Sequence, residues 1–109
     1  MTTITIFRNQ SSGYAGFSFS GHAGYADAGE DIVCAGISVL VINTINALGM
    51  YTSEKFTTNE DEDNCLITLR FDEPIGHDGQ LLLDAMVLGL QGIQNNYGNE
   101  FVTLNFKEV

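Results

Sequence analysis

Positive charge is the scarcest feature of this sequence. Its 109 residues include four lysines and arginines against 14 aspartates and glutamates, so the formal net charge is −10. A field of this sign repels the phosphate backbone of nucleic acid, and we expect no direct nucleic-acid partner. The same field attracts a basic protein or peptide, although acidity that merely keeps a small protein soluble explains the charge equally well. Charge alone therefore leaves the partner open.

Proline and polar tracts are also scarce, since Pro74 is the sole proline and no repeat or low-complexity segment interrupts the chain. Nothing resembles a linker, so residues 1–109 are predicted to form a single domain with enough apolar residues for a core. The N-terminus lacks the basic segment and apolar stretch of a secretion signal, which predicts a cytoplasmic protein. The most apolar run, residues 32–42, is shorter than the roughly 20 residues that cross a bilayer, so no membrane partner is expected.

Cysteine is rare as well, with Cys34 and Cys65 as the two examples. In a reducing compartment a disulfide between them is not expected, and each is considered separately. Cys65 alternates with Ile67 and Leu69 on the predicted core face of a strand. It is therefore assigned no chemistry.

The apolar residues that are present show two different periods. Alternation with period two predicts strands, and apolar residues at helical spacing predict helices. The predicted strands are residues 2–8, 14–21, 53–58, 65–71 and 101–106, and the predicted helices are residues 31–50 and 78–97. The fold class is therefore α+β, a two-layer sandwich with two helices on one face of a four- to five-stranded mixed or antiparallel sheet.

The first predicted helix is apolar around most of its circumference, so one sheet cannot cover it. Its second partner is either the other helix or a copy of itself across a two-fold axis. We expect a homodimer.

One region, residues 21–38, combines a thiol, an imidazole, a glycine-rich loop and a helix start. Asp31 is a candidate N-cap, which places Cys34 in the first turn, where unpaired amides and the helix dipole stabilise a thiolate. His22 ends the second strand, and a loop that returns to the same sheet edge brings its imidazole near the sulfur. His22 would then take the thiol proton and later donate it to a leaving amine, while the helix-start amides, including that of Cys34, receive an oxyanion.

Each of these residues also has an ordinary explanation. Cys34 could be a small buried hydrophobe and His22 a surface residue at a strand end. Asp31 lies on the helical face of Cys34 and could orient His22, but capping explains it equally well. Ser38 lies on the same face, and serines inside helices commonly bond the carbonyl of the preceding turn.

Other chemistries fit the sequence less well. His77 precedes the second helix among glycines and an aspartate, which indicates a solvent-facing turn residue and at most a reserve base. A zinc site would need Cys34, Cys65, His22 and His77 to converge from four separate places. The glycines of residues 21–29 lack the lysine and hydroxyl of a phosphate-binding loop, and the acidic residues 60–63 lack the spacing of a calcium loop. No metal and no cofactor are expected.

The block formed by these candidates is distinctive in its spacing and its flanking residues. It consists of Gly21-His22-Ala23, a short glycine-bearing loop, Asp31-Ile32-Val33-Cys34-Ala35-Gly36, and then Ser38. In this block the chain resembles the bacterial ribosomal-processing cysteine protease family. Length, acidity and the two helices extend the resemblance over nearly the whole chain, although only the block is specific.

The resemblance implies a cysteine endopeptidase that removes an N-terminal extension from large-subunit ribosomal protein number 27 during ribosome maturation. It implies Cys34 as nucleophile and His22 as base, with Asp31 and Ser38 in supporting roles. It also implies homodimers formed through helices, and a loop between the two catalytic residues that covers the substrate. A basic ribosomal precursor would suit the acidic chain.

Two hypotheses from other classes stay open. Cys34 could belong to a redox-responsive thiol protein, which predicts sensitivity to oxidants without dependence on a peptide. Alternatively, the chain could be a non-catalytic acidic module that holds a basic ribosomal partner, in which case Cys34 would be dispensable.

Overall fold

The computed structural model describes residues 2–10, 13–21, 28–61, 66–97 and 101–109. Within these residues, five strands and two helices follow one another in the predicted order. They are β1 (Thr2–Asn9), β2 (Gly13–Ser20), α1 (Ala28–Tyr51), β3 (Phe56–Asp61), β4 (Leu66–Phe71), α2 (His77–Tyr97) and β5 (Val102–Glu108).

The strands form one mixed sheet in the order β3-β4-β2-β1-β5. The pairs β1–β2, β2–β4 and β3–β4 are antiparallel, whereas β5 runs parallel to β1. The predicted alternation holds along β1, where Ile4 and Ile6 are fully buried and lie opposite Phe19 and Phe17 of β2. The five-stranded mixed sheet is thereby confirmed.

A β-bulge in β2 changes which residues face the helices. Arg8 pairs with Tyr14 and Phe7 with Gly16, so Ala15 is the extra residue and strict alternation fails there. Strict alternation along residues 14–21 would place Ala15 on the core face with Phe17 and Phe19, but Tyr14 takes that place and is buried. Gly16 permits the distortion, because a Cβ at this position would collide with the backbone carbonyl oxygen of Leu69.

Strand β3 also differs from its prediction. It begins at Phe56 and continues to Asp61, so residues 59–61 belong to the strand and not to an acidic turn. Glu60 and Asp61 pair with Ile67 and Leu66 of β4. Because β3 is an edge strand with mostly exposed side chains, acidic residues are tolerated there, and they also discourage pairing with other sheets.

Both helices pack on one face of the sheet, as predicted, and share one hydrophobic core with it. The helices run antiparallel to each other, since Gly89 of α2 lies against Leu40 of α1 and Gly36 of α1 lies near Ile93 of α2. The buried helix residues are Val33, Ile37, Val41 and Leu48 of α1 and Leu83, Met86, Val87 and Leu90 of α2.

The outward side of α1 remains exposed and apolar. Ile32, Val39 and Met50 expose 63%, 69% and 73% of their surface, so α2 covers only one flank of the helix. The segment Ile32–Tyr51 is long and apolar enough to cross a membrane by length and composition alone. The apolar segment is thus longer than residues 32–42, because the helix continues to Tyr51. The core helix of a soluble protein passes the same test, and the inward residues of α1 pack against the sheet.

A polar contact joins the bulge to α2. The Tyr14 hydroxyl donates a hydrogen bond of 2.6 Å to Oδ1 of Asp84, and the Arg8 guanidinium lies 4.9 Å from the Tyr14 ring centroid. Burial and the bond to Asp84 raise the pKa of Tyr14 to about 12. The folded protein thus favours the neutral phenol, so this contribution to stability is complete below pH 10 and is lost as the pH rises towards 12.

We expect Tyr14→Phe to lower the free energy of unfolding by about 1 kcal/mol at neutral pH, because a hydrogen bond to a partly hydrated carboxylate is lost. The difference from wild type should shrink between pH 10 and 12. Urea denaturation of both proteins at pH 7, 9 and 11 measures it. Lysines deprotonate in the same pH range in both proteins, so their effect cancels in the difference between the two free energies of unfolding. A difference that grew above pH 10 would contradict this assignment.

Candidate active site

Helix α1 begins earlier than the sequence indicated. Its first residue is Ala28, so Asp31 lies inside the helix and is not its N-cap. Cys34 is consequently in the second turn and not the first. The dipole effect falls off within the first turn, and the amide of Cys34 lies beyond the four unpaired N–H groups. The predicted N-cap role of Asp31 and the first-turn position of Cys34 were therefore wrong, which removes their support for a thiolate and an oxyanion held by the helix start.

Cys34 lies where α1 crosses the end of β2. Its thiol is free and half-buried. A Cβ built on Gly21, the residue after the last residue of β2, would stand 3.7 Å from the Cys34 Sγ. Gly21 directly precedes His22 in the chain, so the sulfur borders the neighbour of the predicted base. The topological part of the prediction is confirmed, because the end of β2 and α1 meet at this thiol.

His22 itself lies outside the described residues, as does Cys65. The contact between the His22 imidazole and the Cys34 thiol therefore stays a prediction, and so does the core-facing position of Cys65. The side chain of Asp31 is likewise outside the description, so its role as a partner of His22 also stays a prediction.

Ser38 has the ordinary role that its position in a helix suggests. Its hydroxyl donates a hydrogen bond of 2.8 Å to the backbone carbonyl oxygen of Cys34, one turn earlier. The side chain thus supports the backbone that carries the thiol. Donation to a substrate would require this bond to break, whereas the hydroxyl oxygen can still accept a hydrogen bond.

His77 cannot serve as the reserve base. It is the first residue of α2, its side chain is 87% exposed, and its Nδ1 lies 3.3 Å from Oδ1 of Asp78. The preceding amide, that of Gly76, donates to Glu54, just beyond the C-terminal end of α1. Cys34 lies near the other end of α1, roughly 25 Å away at 1.5 Å per helical residue. Distance removes His77 from the thiol site.

Metal ligands do not cluster in the part of the chain that the structure describes, where no three His, Cys, Asp or Glu side chains could hold an ion together. The reactive group that the structure describes at this site is the Cys34 thiol.

A model of the cysteine protease Prp family matches residues 1–102 of the chain. The chain belongs to this family. The ribosomal processing cysteine protease Prp of Staphylococcus aureus is 34% identical over 107 residues, which cover 98% of this chain and all of the relative. A crystal structure of the S. aureus protease with a substrate peptide superposes with a TM-score of 0.88, at 32% identity, and covers 98% of this chain and all of that one.

A second S. aureus Prp structure contains a covalently linked product peptide. It is 34% identical, has a TM-score of 0.86, and covers 98% of this chain and all of that chain. A covalent link to a peptide product is what nucleophilic catalysis by a thiol produces. This chain is accordingly a cysteine-type peptidase, and its Prp fold confirms the two-layer architecture expected from the sequence.

Proposed function

We propose that this Prp protein removes the N-terminal extension of large-subunit ribosomal protein number 27 during ribosome maturation in the cytoplasm. The observation that carries the proposal is the free Cys34 thiol beside the end of β2, in a family whose S. aureus member is named for ribosomal processing and binds a substrate peptide. The identity of the substrate is the one that the family resemblance implies, and the compartment is the one expected from the sequence.

In the proposed mechanism His22 accepts the thiol proton of Cys34, and the sulfur attacks the scissile carbonyl carbon. The tetrahedral intermediate collapses when His22 returns the proton to the leaving nitrogen, which releases one peptide and leaves a thioester. His22 then takes a proton from water, and the hydroxide attacks the thioester carbon. The carbon–sulfur bond breaks, the acid product leaves, and the proton on His22 returns to the Cys34 sulfur. Because Cys34 lies in the second turn of α1, the thiolate depends mainly on His22 and not on the helix dipole.

The edge of the sheet near the thiol is acidic, which supports a basic substrate. Asp61 pairs with Leu66, and Leu66 pairs with Ser20, which precedes Gly21. Two strand spacings of about 4.8 Å therefore separate the backbone of Asp61 from that of Ser20. Glu60, the residue before Asp61, pairs with Ile67 in the row of the buried Phe19, so it lies on the face of the sheet that carries α1. Its exposed carboxylate would attract lysine or arginine near the scissile bond.

The proposal is tested with the extended precursor of the ribosomal protein. Intact mass before and after incubation should show loss of the extension at one bond, whereas the same protein without the extension should be unchanged. Cleavage of both proteins, or of neither, would count against a processing role. Oxidation of Cys34 without any cleavage would instead favour the redox-responsive thiol.

We also propose a homodimer formed through the outward side of α1. Ile32, Val39, Ile42 and Met50 are exposed on this helix. No charged residue occurs from Ile32 to Tyr51, although the chain carries a net charge of −10. Two equally charged copies can approach most closely through such an uncharged surface. A basic partner would gain nothing from it, which favours a second copy.

We expect Val39→Glu to convert the dimer to monomers, because two carboxylates would be buried at the two-fold interface. Light scattering coupled to size exclusion measures the mass directly. Leu88→Glu is the matched control, since Leu88 is 71% exposed on α2 and receives the same added charge. The control should remain dimeric. A wild-type monomer at micromolar concentration would refute the interface, with no consequence for the proposed cleavage.

A further inference from the structure

We propose that the open face of the sheet, on the side away from both helices, holds a second ligand site for a small monocarboxylate with an apolar body. The site is separate from the thiol and does not depend on the proposed function. It lies around Gly16, roughly five residues along β2 from Gly21 and on the other side of the sheet.

The cross-strand register builds this site from one row of residues. The row crosses all five strands. In order from β5 to β3 its residues are Lys107, Phe7, Gly16, Arg70 and Thr57, each opposite the next. Residues opposite one another share a face of the sheet, and this row alternates with the buried one. Gly16 has no side chain, so the row is interrupted between Phe7 and Arg70.

The interruption is a hollow of about 410 Å³. This volume lies within the range of small-molecule sites, roughly 300 to 1,000 Å³. Among the residues that line it, Phe7, Ala15 and Val109 come from β1, β2 and the position just after β5, whereas Arg70 and Thr68 come from β4 on the other side of β2. A ligand with one apolar end and one polar end would match this division.

Arg70 determines the sign of the polar end. It is exposed, and among the described residues the structure records no ion pair for it. A guanidinium presents parallel N–H groups that fit a carboxylate through two hydrogen bonds. Lys107 in the same row adds a second positive charge to this face, beyond the residues that line the hollow.

The net charge of the chain limits the ligand to a single negative charge. The overall field of −10 opposes every anion, and a dianion such as phosphate twice as strongly as a monoanion, whereas a cation would be opposed locally by Arg70. A neutral apolar molecule would gain nothing from the guanidinium. A monocarboxylate with an apolar body therefore matches the charge and the lining of the hollow best.

The test uses the full chain labelled with nitrogen-15 and titrated with benzoate at constant ionic strength. We expect saturable shifts of the amide signals of Phe7, Gly16 and Arg70, with a Kd on the order of 1 mM for so small a ligand. Arg70→Gln should weaken binding about five-fold, the scale of an exposed ion pair. The control is Lys55→Gln, which has the same net charge as Arg70→Gln but removes a cation outside the hollow. It should change the Kd less than two-fold.

Three results would overturn the site. Shifts that do not saturate, or that centre on other residues, would show that benzoate does not occupy the hollow. Equal weakening by Arg70→Gln and Lys55→Gln would reduce the effect to overall charge. Benzamide, the uncharged analogue, should bind several-fold more weakly, and equal binding would remove the carboxylate from the argument. Arg70 is exposed, so its replacement should leave the fold intact, which the remaining amide signals report.

Discussion

Cys34→Ala is expected to abolish cleavage of the extended ribosomal precursor, with a loss of at least about 10³-fold in kcat/KM, because no other group can form the thioester. The substitution should leave the fold intact, since the thiol is only half-buried and alanine suits a helix. Thermal unfolding should therefore change by no more than a few degrees. Intact mass of the precursor over time gives the rate, and circular dichroism gives the melting temperature.

Cys65→Ala is the matched control for this experiment, because it removes the other thiol of the chain by the same change. It should cleave the precursor at the wild-type rate. Retained cleavage by Cys34→Ala would refute the mechanism, and the loss of cleavage in both variants would point to a common effect on folding. A third result would favour the hypothesis of a non-catalytic acidic module. In that result wild type does not cleave the precursor, and Cys34→Ala binds it as tightly as wild type does.

The fold was predictable wherever one physical signal dominated. The alternation of Ile4 and Ile6 with threonines in β1 indicates one buried face. The helical spacing of Leu82, Met86 and Leu90 follows the packed side of α2, where Met86 and Leu90 are buried and Leu82 is partly buried. These patterns reflect burial, which is the dominant favourable contribution to folding. Element order and class follow from them.

The errors arose where backbone geometry or tertiary pairing outweighed the local pattern. The bulge at Ala15 adds one residue to β2 relative to β1. The alternation of polar and apolar residues does not reveal such an extra residue. The start of α1 includes Gly29, which favours a loop when it is considered alone. The acidic end of β3 is held by its ladder with β4, so the weak strand preference of Glu60 and Asp61 is overridden.

The candidate site was predictable in its topology but not in its detail. A strand end and a helix near Cys34 are both visible in the sequence, and the structure brings Gly21 beside the sulfur. The turn of the helix that holds the thiol depends on where α1 begins, and a shift of three residues changes the electrostatics. In the proposed mechanism that shift leaves His22, and not the helix dipole, to stabilise the thiolate, which makes His22 the residue to test next.

His22→Ala is expected to lower kcat/KM by roughly 10² to 10⁴-fold, the range of general acid–base catalysis. Since the thiolate depends on the imidazole, alkylation of Cys34 by iodoacetamide at neutral pH should also slow in this variant. Added imidazole should restore part of the cleavage in His22→Ala, because it can replace the proton acceptor. It should restore none in Cys34→Ala, which lacks the nucleophile.

His77→Ala supplies the matched control, because it removes the other histidine of the chain at an exposed position near the opposite end of α1. Cleavage and alkylation should both stay at the wild-type level in this variant. The two readouts separate a base from a structural residue, since a misfolded His22→Ala protein would not respond to imidazole. If alkylation of Cys34 is equally fast in wild type and His22→Ala, the thiolate is stabilised by another group, and the proton transfer assigned to His22 is refuted.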